Sequence, residues 1–91
     1  MSKLKRMRGL WSLSQAKSDE EREMYSYYLN RNSQLNGDHE VHRVGCPHMP
    51  LLMNSLFLGN FYTCAQAMAA ARRVTTQADG CFYCCTECHT S

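Results

Sequence analysis

Ninety-one residues leave room for one domain, and a core of that size supplies only a few kcal/mol of net stability, so a metal, disulfides or a partner is expected to reinforce it. The hydrophobic fraction of 44% counts six cysteines and six methionines, which makes the aliphatic core smaller than that figure suggests. The net charge of +2 is too modest to demand nucleic acid or an anionic membrane, and no apolar run approaches the ~18 residues of a membrane span.

Charge is segregated along the chain. Residues 1–17 carry Lys3, Lys5, Arg6, Arg8 and Lys17 with no acid, whereas residues 18–40 carry six acids against Arg22 and Arg31. The segment Met1 to Gln15 offers only Leu10-Trp11-Ser12-Leu13 as an apolar patch, where a secretory signal needs roughly 7 to 15 apolar residues. A cytoplasmic protein with reduced thiols is the expectation. It has a flexible leader over residues 1–23, basic then acidic, and one α+β domain over residues 24–91. The basic arm is a candidate nucleic-acid contact.

Tyr25-Ser26-Tyr27-Tyr28-Leu29 is rich in strand formers and reads as a first strand. Turn formers follow from Asn30 to Asp38, with Asn36-Gly37 able to supply positive backbone dihedrals. The alternation in His39-Glu40-Val41-His42-Arg43-Val44 then predicts a second strand, making a hairpin that ends at Gly45-Cys46. Pro47 and Pro50 bend the connection to Asn54. Leu56-Phe57-Leu58 predicts a short buried strand ending at Gly59. Asn60 is placed to cap a helix from Phe61 to about Val74, with Phe61, Cys64, Ala65, Met68 and Ala71 on one apolar stripe. Ala65, Ala69 and Ala71 would permit close approach to a sheet. Thr75 to Gly80 breaks the periodicity, and a cysteine knuckle follows.

Four of the six cysteines fall within the last twelve residues, as Gly80-Cys81-Phe82-Tyr83-Cys84-Cys85-Thr86-Glu87-Cys88-His89. A structural zinc site wants four ligands, with Zn–S near ~2.3 Å and sulfurs about 3.8 Å apart, and a Cys-x-x-Cys knuckle turns two sulfurs toward one ion. A straight helix over residues 81–88 would spread Cys81, Cys84 and Cys88 over about 10.5 Å. A turn or short helix is therefore expected to bring Cys88 around, with Cys46 as the distant fourth ligand. The predicted zinc set is Cys46, Cys81, Cys84 and Cys88. Cys85 could replace Cys84, and His89 or His48 could replace Cys88 or Cys46. His42, on the strand feeding Cys46, could orient a thiolate by hydrogen bonding. Cys64 reads as a buried thiol on the helical stripe.

Gly80-Cys81-Phe82-Tyr83-Cys84, an alanine-containing helix before it and Cys46-Pro47 upstream make the layout over Val41 to Cys88 resemble the zinc-binding domain of bacterial Ada alkylation-response proteins. The resemblance implies Cys46, Cys81 and Cys84 near zinc, DNA contact, and methyl transfer to a zinc-activated cysteine. From the residues themselves, the leading expectation is a small zinc-binding interaction module for a protein or nucleic-acid partner. A thiol-dependent enzyme is the alternative.

Overall fold

Five elements follow in chain order in the computed structural model, which describes residues 22–90: β1 (Tyr25–Asn30), β2 (His39–Arg43), β3 (Ser55–Phe61), α1 (Cys64–Ala71) and β4 (Ala78–Gly80). Two short 3-10 turns, Leu52–Asn54 and Thr86–Cys88, complete this small α+β fold. The leader expected over residues 1–23 lies outside the described residues except for its last two. There the Arg22 guanidinium sits 5.1 Å from the Tyr62 ring centre, and the Tyr25 hydroxyl donates to Glu23.

The strands form one mixed sheet in the order β3-β1-β2-β4. The β1–β2 hairpin closes through turn chemistry visible in the sequence: Asn36 Oδ1 accepts from the Asp38 amide, and Gly37 takes φ +92°, a region that side chains with a Cβ disfavour. β3 pairs antiparallel with the outer side of β1, with a register shift between Tyr27 and Tyr28. It extends from Ser55 through Phe61, longer than the expected Leu56–Leu58, and its central Phe57 is 53% exposed. An edge strand buried on one face has that pattern, because Phe57 and Tyr28 lie on the face that α1 leaves uncovered, with their rings 5.4 Å apart.

β4 pairs parallel with β2, matching His39 to Ala78 and Val41 to Gly80. Sequence reading treats this segment as a break, since Ala-Asp-Gly contains no strand former. Tertiary pairing overrides propensity here.

The helix is shorter than predicted. Asn60 is a β3 residue paired with Ser26, and Thr63 caps instead. The Thr63 hydroxyl accepts from the Gln66 amide while Gln66 Oε1 accepts from the Thr63 amide, a reciprocal capping box. The buried face of α1 is Cys64, Ala67, Met68 and Ala71, packed on Tyr27, Leu29 and Val41. Ala65 and Ala69 are exposed, so the close approach to the sheet rests on Ala67 and Ala71.

Cys64 is joined to Cys88 in a disulfide closing 24 residues of chain. This ties the Thr86–Cys88 turn to the first turn of α1, so the expectation of reduced thiols does not describe this pair. Gly80 allows the fit, because a Cβ there would come within 2.8 Å of Cys88 Cβ and of the Cys85 carbonyl oxygen. Its role is this close packing.

Ala67→Leu is expected to destabilise the fold by about 1 to 3 kcal/mol through overpacking, while Ala69→Leu on the exposed side changes it by less than about 0.5 kcal/mol. Urea denaturation of both variants checks the assignment of the packed face. Opening the Cys64–Cys88 loop with reductant should cost about 3 kcal/mol, read in the same titration.

Candidate metal centre

Because β2 and β4 run parallel, their C-terminal ends lie side by side at one end of the sheet. β4 delivers Cys81 immediately after Gly80, and β2 delivers His42 within the strand and Cys46 three residues beyond its end. The ladder continues through the Cys81 amide, which donates to the Val41 carbonyl at 2.9 Å. Cys84 then turns back onto β2, where its sulfur accepts from the Arg43 amide at 3.2 Å.

One ligand atom from each of His42, Cys46, Cys81 and Cys84 lies within 4.8 Å of the others. Cys46 Sγ and Cys81 Sγ are 3.8 Å apart, and Cys84 Sγ is 3.8 Å from His42 Nδ1. Tetrahedral zinc calls for sulfur pairs near ~3.8 Å and a sulfur–nitrogen pair near ~3.6 Å. The residues therefore fit a metal ion.

Both cysteine loops turn amides toward sulfur. The Tyr83 amide donates to Cys81 Sγ at 3.4 Å, the Cys84 amide also faces Cys81, and the His48 amide faces Cys46. Amides directed at sulfur stabilise thiolates in a buried site, where an unpaired charge would be costly. In the metal-free chain they do not suffice. Burial raises the Cys46 thiol above its ordinary value and pushes Cys81 up to about 12. A hydrogen bond to Cys85, and then burial, pushes Cys84 up to about 11.

Of the sequence-predicted set, Cys46, Cys81 and Cys84 converge, and Cys88 does not join them. The turn that carries Cys88 around exists, but it delivers the sulfur to Cys64 on the helix side. Cys85 is buried in the core beside Val41 and lies outside the group. His48 stacks on Tyr83, and His89 Nδ1 lies 3.0 Å from the Gly80 carbonyl oxygen and 3.4 Å from Asp79. His42 occupies the fourth place, where sequence reading gave it a supporting hydrogen bond. Strand alternation does mark it as facing away from Val41. Its complete burial on that second face depends on the cysteine loops, which no periodicity shows.

His42 is oriented from behind. Its Nε2 is buried with no hydrogen-bond partner among the described residues and lies 3.4 Å from Glu40 Oε1, two residues back on the same strand face. A small tightening would make this a carboxylate–histidine pair, fixing the proton on Nε2 and leaving the Nδ1 lone pair toward the sulfurs. Among the described residues no helix is long and apolar enough to cross a membrane.

Glu40→Gln should weaken metal affinity about 10- to 100-fold without unfolding the chain, measured by competition with a chromophoric chelator. Binding a divalent cation must also displace protons from three raised thiols, so apparent affinity should climb by up to about a thousandfold per unit between about pH 6.5 and about pH 8.5. The metal-free fold should show the opposite trend. Groups whose folded values are raised contribute stability that is present at neutral pH and lost as pH climbs past the ordinary thiol range. A near-flat affinity profile would rule out a three-thiolate site. The chain matches no protein-family model, no curated protein and no solved structure.

Proposed function

We propose that this protein is a small zinc-binding interaction module, with the ion held by His42 Nδ1, Cys46, Cys81 and Cys84. The convergence of these four ligand atoms within 4.8 Å, from two segments 35 residues apart, carries the reading. Three thiolates and one imidazole in a tetrahedral arrangement suit zinc better than calcium or magnesium, which take oxygen ligands. Four protein ligands leave no open coordination position, so the donor set favours a structural over a catalytic ion. The ion would clip the C-terminal knuckle to β2, and the residues at the loop tips would supply the contact surface for a protein or nucleic-acid partner.

A second reading keeps one observation in its favour. Cys46 and Cys84 line a cleft of about 190 Å³ between the two cysteine loops, so a metal-bound thiolate there could meet an electrophilic methyl donor, as the resemblance to Ada proteins implies. Methyl iodide is a direct probe: the S–CH₃ bond forms as the C–I bond breaks and iodide leaves. Mass spectrometry showing a single methyl on Cys46 or Cys84 of the metal-loaded chain would favour this reading.

Elemental analysis of the purified chain should give one zinc per molecule. His42→Ala and Cys81→Ser should lose it, while Cys88→Ser should retain it despite losing the disulfide. Retention by His42→Ala together with loss in Cys88→Ser would instead favour the four-cysteine set. With the disulfide intact, denaturation with a chelator should expose four reactive thiols, Cys46, Cys81, Cys84 and Cys85.

A further inference from the structure

Above the cysteine cluster the two loops meet through their tips. The His48 and Tyr83 rings are stacked, with centres 3.8 Å apart and planes 18° from parallel. Phe82 stands edge-on to Tyr83 at 5.2 Å. Tyr83 is 64% exposed and Phe82 54%, and His48 is also exposed. Large aromatic side chains normally bury such area, yet these project from the two loops that carry Cys46, Cys81 and Cys84.

We propose that this stacked pair is a platform for the unpaired bases of a single-stranded nucleic acid. The inference rests on the metal-held module described above and names its partner. A flat aromatic pair open to solvent offers what a base needs, because every base has a π face and stacks without regard to sequence. The cleft beside Tyr83 fits the backbone that follows. It is lined by Arg43, Val44, Gly45, Cys46 and Pro47 with no carboxylate among the described residues, and the Arg43 guanidinium on its wall also lies 4.5 Å over the Tyr25 ring. The His89 ring lies 5.4 Å from Phe82 on the other side of the tips. The exposed Leu51, Leu52 and Met53 lie further along the same β2–β3 connection, three to five residues beyond His48. Five cations in residues 1–17 add charge of the right sign for phosphate. Duplexes bury the faces of their bases, so the platform selects single strands.

The test uses the full chain, with zinc content measured on the same sample, titrated into fluorescein-labelled oligothymidylate, oligouridylate and a blunt duplex of equal length. Anisotropy should show both single strands bound and the duplex at least about tenfold weaker. Affinity should fall with added salt. Tyr83→Ala and His48→Ala should each lower single-strand affinity by about fivefold to a hundredfold, with zinc content unchanged. Equal affinity for the duplex, insensitivity to both substitutions, or no binding of any oligonucleotide would overturn the proposal. A single strand bound through Tyr83 by a chain that contains no zinc would support the partner and remove the metal reading, so the two fail separately.

Discussion

Three residue pairs between β2 and β4 determine whether the candidate metal centre can exist. Cys46 and Cys81 are separated by 35 residues that include β3 and α1, and in an unfolded chain their meeting carries the full entropy of closing that loop. The parallel pairing removes this cost by aligning the two strand ends. It is too short to be robust alone, and it is extended at both ends. The His39 amide donates to the Gln77 carbonyl before the ladder, and the Cys81 amide donates to the Val41 carbonyl after it. A cation held by residues of both strand ends would reinforce the same ladder, so pairing and coordination stabilise each other.

The six cysteines divide by the face of the sheet they serve. Cys64 and Cys88 tie the C-terminal turn to α1, Cys85 fills the core beside Val41, and Cys46, Cys81 and Cys84 gather with His42 at the sheet end. This explains how a run as dense as residues 81–88 avoids competing for one ion. The adjacent Cys84 and Cys85 still share a hydrogen bond, yet Cys85 is fully buried in the core and stays outside the group of four. Buried Asp79 fixes the last stretch by accepting from the Thr90 amide and hydroxyl at 2.8 and 2.9 Å. After β4 the chain is held at Cys88 by a cross-link, at Thr90 by a buried carboxylate and at Cys81 and Cys84 by the candidate ion site, as expected for a segment with few aliphatic side chains.

What the sequence disclosed was local. Alternation and turn chemistry placed the β1–β2 hairpin, and spacing brought out the Cys81–Cys84 knuckle and its distant partner Cys46. Non-local effects escaped it. β4 has no strand propensity and exists because β2 offers an edge. The helix begins at a capping box three residues later than Asn60 suggested, because Asn60 is committed to Ser26 across the sheet. Cys88, expected as a ligand, and His42, expected to support one, were misplaced for the same reason. Spacing along the chain favours Cys88, but the direction of approach, set by the bare backbone at Gly80, sends its sulfur to the helix and leaves His42 facing the other three ligand atoms.

The exposed aromatic tips follow from this arrangement. His48 and Tyr83 belong to loops anchored at their bases by Cys46 and by Cys81 and Cys84, so a single ion would fix the relative position of both loops and hold the ring stack together. A recognition surface built from two such loops would lose little conformational freedom when a partner arrives, since the ordering would already have occurred at the metal. Two loops without a common anchor would have to be ordered by the partner itself. Stability and recognition would thereby be joined through one set of ligands, and the contact of the partly exposed Glu40 with the buried His42 would become a determinant of how well the tips are presented.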